Sequence, residues 1–492
     1  MNIYALIVTT VYLINIVVVA GMVFFKEKDV KSTMGWIFIF MLLPFVGYIV
    51  YFLIGSTTKF KILSRKYSLK KLEEGYNQVL LQNIENMETG KLDEKINPDF
   101  ADMIKFNAKN GGCVYSSDNN VELFTSAKDK YERMFAEIEN ARESINVLYF
   151  IIKTKDDIGK KFISLLAKKA REGVEVRLIY DRLGMMKNRR RDFKELTDAG
   201  GMVYAFLPSV LGSLIQANYR MHRKIVVIDG RVAYTGGINI GDDYLGLDPR
   251  VHPWRDSAVR ITGSAVQAVQ LRFLSDWEYL DKQAGSWRAY PSKVDNIAHI
   301  KKYFRLPEQT GKMGVQIISS GPDSNNAPIR DAYLKILSSA KDYVYIETPY
   351  LAPDETLLSA FRMAARSGVD VRIIIPGVPD KRFVYYGTMS HIDELLNYGI
   401  KVYIHEGFIH SKMIVADDFV SAVGSANFDM RSFLINFEMT ALVYDDAFAD
   451  QCKNAYFEDL THSKEINVKE FNARSRIKKM KEAAWRLLTP FI

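Results

Sequence analysis

The chain carries one short cassette twice. MHRKIVVIDGRVAYTGGIN begins at Met221 and IHSKMIVADDFVSAVGSAN begins at Ile409. Each places a histidine two residues before a lysine, an aspartate five residues after that lysine, and two small residues shortly before an asparagine. The histidines, His222 and His410, stand 188 residues apart, and a second landmark repeats at nearly the same distance. AREGVEVRLIYD from Ala170 matches ARSGVDVRIIIP from Ala365, 195 residues on. Two landmarks in the same order at almost one offset mark a single α/β unit used twice. The second landmark reads as a helix ending at a glycine cap, Gly173 or Gly368, followed by a Val/Ile-rich buried strand.

The cassette itself reads as a hairpin. KIVVID is a β-branched run and Asp229-Gly230 is a two-residue turn signal, so RVAYT returns as the second strand. That register pairs Ile228 with Arg231 and sets His222 opposite Gly237; a turn at Asp417-Asp418 sets His410 opposite Ser425. Both histidines are then expected beside a residue with almost no side chain, which leaves room for a ligand. Residues two apart on a strand share a face, so Lys224 joins His222 and Lys412 joins His410, with Asn239 and Asn427 within reach. Asp229 and Asp417 lie five residues past the lysines, roughly 16 Å at ~3.3 Å each, and are assigned to building the turns.

If the two repeats face each other, two imidazoles, two ammonium groups and two amides surround one site. Such donors suit an anionic tetrahedral centre such as phosphate. Histidine can attack phosphorus, while a second, protonated histidine hands its proton to the departing alkoxide. Phosphodiester chemistry by two successive displacements follows, with lysine in the electrostatic role and no metal or other cofactor called for. Cys113 and Cys452 stand in unrelated contexts without C-x-x-C spacing, so they imply neither a disulfide framework nor a zinc cage.

A net charge of +8 points to an anionic partner, nucleic acid or an acidic membrane face. The N-terminus chooses the membrane. Ile3 to Phe25 is 23 residues without a charge and Met34 to Ile54 is 21 more, each enough to cross roughly 30 Å of hydrocarbon. Lys59, Lys61, Arg65, Lys66, Lys70 and Lys71 follow the second span, against Lys26, Lys28 and Lys31 in the connecting loop. The excess of basic residues leaves the long C-terminal portion on the cytoplasmic side. Between Asn472 and Leu488, apolar residues at helical spacing alternate with Arg474, Arg476, Lys478, Lys479 and Lys481. That segment reads either as a basic amphipathic helix on an anionic membrane or as a helix docked on the catalytic portion.

The two cassettes resemble the paired His-x-Lys motifs of the phospholipase D superfamily, and the chain as a whole is similar to its bacterial cardiolipin synthases. The similarity runs through LLPFVGYIVYFLIG, HPWRDSAVRITGSAV, SSGPD, IETPYLAPDE, GSANFDMRSFLINFEM and RLLTPFI. The resemblance implies an α/β fold with two similar phospholipase D-like domains sharing one active site, preceded by a two-helix transmembrane hairpin. The expected division is the hairpin over 1–58, a charged linker over 59–108, one domain over 109–307, the second over 308–462 and a basic amphipathic tail over 463–492. It implies phosphatidyl transfer between two phosphatidylglycerol molecules, with glycerol released, through a phosphohistidine. The family motif places His222, Lys224, Asp229, His410, Lys412 and Asp417 in the catalytic set, with Asn239, Asn427, Gly237 and Ser425 at the substrate and Asp256 and Glu438 orienting the rings. His222 is expected to be the nucleophile, the glycines Gly236 and Gly237 leaving more open space beside it, while Ser425 helps to position His410. Phosphatidylglycerol and anionic membrane lipids are the expected partners of a multi-pass protein in the bacterial cell (inner or plasma) membrane; no nucleic-acid partner is expected, and homo-oligomerisation stays open. A membrane-tethered phospholipase D or other phosphodiesterase releasing the group to water is the alternative. A non-catalytic lipid-binding scaffold is disfavoured by two complete cassettes.

Overall fold

A computed structural model describes residues 3–25, 30–43, 46–47, 51, 85, 98–185, 190–206, 219–284, 303–305, 311–324 and 326–488. The N-terminal part begins with helix α1 (Ile3–Phe25) and helix α2 (Val30–Leu42). Val18, Val19 and Ile39 pack around buried Trp36, Phe40 and Tyr51. By length and hydropathy combined, no helix among the described residues qualifies as long and apolar enough to cross a membrane. Set against that, α1 has 23 residues and no charged side chain, and ~1.5 Å per residue gives it roughly 34 Å. Most of the second expected span beyond Leu42, and most of the expected linker, lie outside the described residues.

Helix α3 (Pro98–Gly111) takes up the end of the expected charged linker over 59–108. Phe100, Met103 and Ile104 are buried in the second repeat's core, among Ile329, Tyr333 and Leu337. Their i, i+3, i+4 spacing is the signal that the surrounding charge obscured.

Beyond α3 the chain runs through two matched α/β repeats. The first comprises β1 (Tyr115–Phe124), β2 (Ser144–Tyr149), β3 (Glu175–Asp181), β4 (Met202–Phe206), β5 (Ile225–Ile228), β6 (Val232–Gly236), the two-residue β7 (Trp254–Arg255) and β8 (Ala258–Thr262). The second comprises β9 (Met313–Ser320), β10 (Tyr343–Glu347), β11 (Leu351–Ala352), β12 (Asp370–Pro376), β13 (Lys401–His405), β14 (Phe408–Ile409), β15 (Met413–Ala416), β16 (Val420–Gly424), β17 (Phe428–Asp429) and β18 (Glu438–Tyr444). The first repeat orders its strands 1-8-6-5-2-3-4 and the second 9-18-16-15-10-12-13, the same path in each. They meet at antiparallel β1 and β9, and with β19 (Ser463–Glu465) on the outer edge the result is one 15-stranded sheet. Both cassette hairpins are internal to it, which explains their runs without polar alternation. Ile225 and Val227 face one core and Val226 and Ile228 another. The helices Ala265–Ala284 and Asp446–Thr461 cover the first of these faces, and each also reaches the other repeat's first strand.

The repeated AREGV and ARSGV stretches form as read. Helix Asp157–Arg171 ends before Gly173 at φ +89°, and helix Glu355–Arg366 ends before Gly368 at φ +96°, each followed by a parallel strand. The left-handed φ suits glycine because a Cβ would be strained there. The tail takes its docked form: helix Arg476–Leu488 packs against helix Arg382–Tyr398, with Trp485 5.7 Å from Phe383 and Arg486 bonded to Glu394 at 2.9 Å.

The hairpin register differs by one residue from expectation. Ile228 pairs with Val232 and Ala416 with Val420. Asp229 and Gly230, like Asp417 and Asp418, are left-handed, and the ladder resumes only after a third loop residue. Each aspartate has a second task. Asp229 accepts the backbone N–H groups of Arg142, Glu143 and Ser144 at 2.8–2.9 Å, and Asp417 accepts those of Lys341, Asp342 and Tyr343 at 2.7–3.0 Å. These carboxylates pin the entry of β2 and β10 to the cassette. Asp229→Ala removes three charge-assisted hydrogen bonds and is expected to lower stability by roughly 3 kcal/mol. A thermal melt checks this; an unchanged midpoint would refute the role.

Candidate active site

The histidines do not sit opposite Gly237 and Ser425. β5 begins only at Ile225 and β15 at Met413, so His222 and His410 precede the hairpins and pair with the opposite repeat. Met221 bridges Phe437 in parallel, and His222 N–H donates to the Phe437 carbonyl at 3.0 Å. On the other side β14 runs parallel to β7, and His410 N–H donates to the Arg255 carbonyl at 2.6 Å. Each histidine segment therefore runs beside the residues that lead into the other repeat's acid, Glu438 or Asp256.

The ring contacts cross in the same way. His222 Nδ1 lies 3.0 Å from Glu438 Oε2, and His410 Nδ1 lies 2.7 Å from Asp256 Oδ2. With Nδ1 held by a carboxylate, the proton sits there in the neutral ring and Nε2 keeps the lone pair. Aromatic rings border both imidazoles: Phe150 lies 4.9 Å from His222, and Trp254 and Phe408 lie 5.3 and 5.7 Å from His410. Lys224 Nζ donates to the carbonyl of His222 at 2.6 Å, and Lys412 Nζ donates to that of His410. Asn239 Oδ1 accepts the Ile151 N–H at 3.2 Å, while Asn427 is buried with Oδ1 unpartnered.

The small residues serve the acids, which corrects the expectation of open space beside the histidines. A Cβ on Gly237 would lie 2.0 Å from Asp256 Oδ1, so the missing side chain makes way for that carboxylate. Ser425, at the equivalent place, donates to Glu438 Oε2 at 2.5 Å and accepts the Met439 N–H at 3.0 Å. Its hydroxyl thus supports the acid that holds His222 rather than His410. Nothing in the sequence flagged the exchange of partners or the rings of Phe150 and Phe408; Trp254 was visible only as the neighbour of Asp256 within HPWRD.

Charge in the site is finely set. Burial, the largest cause, pushes both imidazoles down to about 4; Glu438 resists this at His222, and at His410 Lys412 adds to the depression while Asp256 resists it. Burial also brings Lys224 to about 7 and Lys412 to about 8. Burial opposes ionisation of the acids, but His410 and Lys412 outweigh it at Asp256, and His222 and Lys224 at Glu438, so both stay below ordinary carboxyl values. Each imidazole feels both lysines and each lysine feels both acids, so the two rings and two amines converge on one volume. Near neutral pH the site offers two lone-pair-bearing Nε2 atoms and two ammonium groups that an anion would keep protonated. That is the equipment for attack on a phosphodiester and for proton return to its leaving oxygen.

Comparison with known proteins agrees with this chemistry. Residues 134–277 and 333–460 match the family described as "Cardiolipin synthase, PLD-like domain", and 12–56 match "Phospholipase_D-nuclease N-terminal". The major cardiolipin synthase ClsA of Bacillus subtilis is 38% identical over 496 residues, all of both chains. A cardiolipin synthase of Listeria welshimeri is 35% identical over 497 residues, again all of both. Among solved structures, phosphatidylserine synthase of Haemophilus influenzae superposes with a TM-score of 0.61 at 16% identity, covering 80% of this chain and 100% of that one; the likeness is one of fold.

Crossed pairing makes a selective prediction. Glu438 raises the proton affinity of His222, so Glu438→Gln should drop the pH at which His222 titrates still further below 4 while barely moving His410. Histidine ring NMR titration reads both; equal shifts in the two rings would refute the crossing.

Proposed function

The chain belongs to the cardiolipin synthases built from phospholipase D-like domains, and on that premise we propose that it transfers a phosphatidyl group from one phosphatidylglycerol to another, forming cardiolipin and releasing glycerol. The observation that carries this reading is the pair of Nε2 atoms, each fixed by the other repeat's carboxylate, beside Lys224 and Lys412.

In the first step Nε2 of His222 attacks phosphorus, and the P–O bond to glycerol breaks as Nε2 of His410 supplies its proton. Lys224 and Lys412, with the amides of Asn239 and Asn427, take the non-bridging oxygens. His410, now neutral, withdraws the proton from the hydroxyl of a second phosphatidylglycerol. That oxygen forms the new P–O bond as the bond to His222 breaks. Asp256 and Glu438 keep each ring in the tautomer the step requires. His222 is assigned the nucleophile's role from the family resemblance, because the open space the glycines were expected to leave beside it is occupied.

The bound phosphodiester adds a negative charge between the lysines and raises their proton affinity and that of one imidazole. It thereby creates the acid that the free site, with both rings near 4, does not hold at neutral pH. We place α1 and the segment after it in the bacterial inner membrane, supported by the uncharged 23-residue α1 and by the basic residues after the second stretch, with the catalytic repeats cytoplasmic. A reporter fused after Ile492 should work only in the cytoplasm; one active only outside would reverse the orientation.

Purified protein in detergent with labelled phosphatidylglycerol is expected to give cardiolipin and glycerol in equal amounts. Phosphatidic acid in place of cardiolipin would make it a membrane-tethered phospholipase D. His222→Ala and His410→Ala should each cut turnover at least ~10²-fold. An alkaline denaturing quench followed by mass spectrometry should find the phosphoryl adduct on His222; an adduct on His410 alone would exchange the two roles.

A further inference from the structure

The two repeats agree in their cassettes and differ in what stands beside them. In the second repeat a shallow cleft is lined by Pro349, Tyr350, Asp380, Lys381 and Phe408. Tyr350 donates its hydroxyl proton to Asp380 Oδ2 at 2.6 Å. The Phe408 ring that bounds the cleft also stacks on His410, 5.7 Å away at 29°. Leu351 pairs with Phe428, which sets Tyr350 level with Asn427. The cleft therefore abuts the His410 side of the phosphate site, and the charge of Asp380 reaches Lys412.

The same places in the first repeat are apolar. Ile152 bridges Ile240 as Leu351 pairs with Phe428, so Ile151 stands where Tyr350 does. Four residues past the matched strand, where the second repeat has Asp380 after Pro376, the first has Met185 after Asp181, and Met185 is buried in the core. Among the described residues, a tyrosine–aspartate pair beside one histidine and apolar counterparts beside the other fit a reaction whose two flanks differ. In-line displacement at phosphorus puts the nucleophile on one flank and the departing or arriving alcohol on the other.

We propose that Tyr350 and Asp380 form the alcohol subsite, holding the hydroxyl adjacent to the reacting oxygen on the leaving glycerol and then on the acceptor's glycerol headgroup. This rests on the phosphatidyl transfer proposed above, with His222 as nucleophile. A carboxylate accepts hydroxyl protons and the phenolic oxygen retains lone pairs after donating its own. Together they offer two acceptors to a vicinal diol. The acceptor's own phosphate lies one three-carbon unit away, and Lys381 on the same cleft supplies a cation for it. In the transfer step the acceptor oxygen bonds to phosphorus, the P–Nε2 bond of His222 breaks and the proton passes to His410; Tyr350 and Asp380 choose which alcohol is in place. A site that hydrogen-bonds a substrate hydroxyl discriminates against the analogue lacking it.

The test gives the full-length protein labelled phosphatidylglycerol with free glycerol and propan-1-ol at equal concentration, and measures the phosphatidyl products of each. Wild type should favour glycerol, and Asp380→Ala and Tyr350→Phe should each lower that preference about tenfold. Asp380 is exposed, so its substitution tests the cleft with the fold intact. Variants that slow both products equally, keeping the wild-type ratio, overturn the subsite. A wild-type protein that forms neither alcohol product nor cardiolipin overturns the transfer on which it rests.

Discussion

The exchange of carboxylates between repeats governs the rest of the structure. A buried Glu438 and a buried Asp256 each need a partner that offsets the loss of water, and each finds it in the other repeat's histidine. Neither repeat is a complete site. His222 without the second repeat would lose its ring orientation, and Glu438 without the first would keep only the donors of its own repeat, Ser425 and Asn436. The site and the association of the halves are thus one interaction, and the parallel bridges at Met221–Phe437 and Phe408–Trp254 set its geometry.

The sheet makes the exchange possible. Antiparallel pairing of β1 and β9 relates the repeats by an approximate two-fold, so that a residue reaching across from one repeat is matched by its counterpart reaching back. Duplication supplies two equal halves, yet a phosphoryl transfer needs a nucleophile and an acid. The departures from symmetry lie around the shared phosphate site: Gly237 against Ser425, Ile151 against Tyr350, Met185 against Asp380. The first alters how each carboxylate is seated, and the others alter what borders the flanks.

Much of this was legible in the sequence because the cassette is local. His222, Lys224, Asn239 and their copies could be grouped by strand spacing, and the turn role of Asp229 and Asp417 followed from distance along a strand. The hairpin register was missed by one residue because two left-handed turn residues can be followed by a third that stays out of the ladder. The crossed acids were invisible to spacing, since parallel bridges of one or two residues between segments more than 150 positions apart leave no periodic trace. Asp256 and Glu438 were named through family resemblance, without the information of which ring each would hold. Helix α3 was hidden in a charged stretch because its apolar stripe, Phe100, Met103 and Ile104, is short.

The electrostatics show why so buried a site remains ready for an anion. Two lysines brought together with two imidazoles would repel if all were charged, and burial resolves this by releasing protons, leaving lysines near 7 and 8 and rings near 4. The carboxylates of Asp256 and Glu438 then balance the charge that remains. An arriving phosphodiester supplies the missing negative charge at the point where the four groups meet. Protons taken up with it convert the lysines to full cations and one imidazole to an acid, whereas the other ring, its Nδ1 proton still held by a carboxylate, keeps its lone pair for phosphorus. Proton uptake and substrate binding are therefore a single linked event, and the division of labour between two nearly identical histidines is decided only when the anion and the alcohol beside it are both in place.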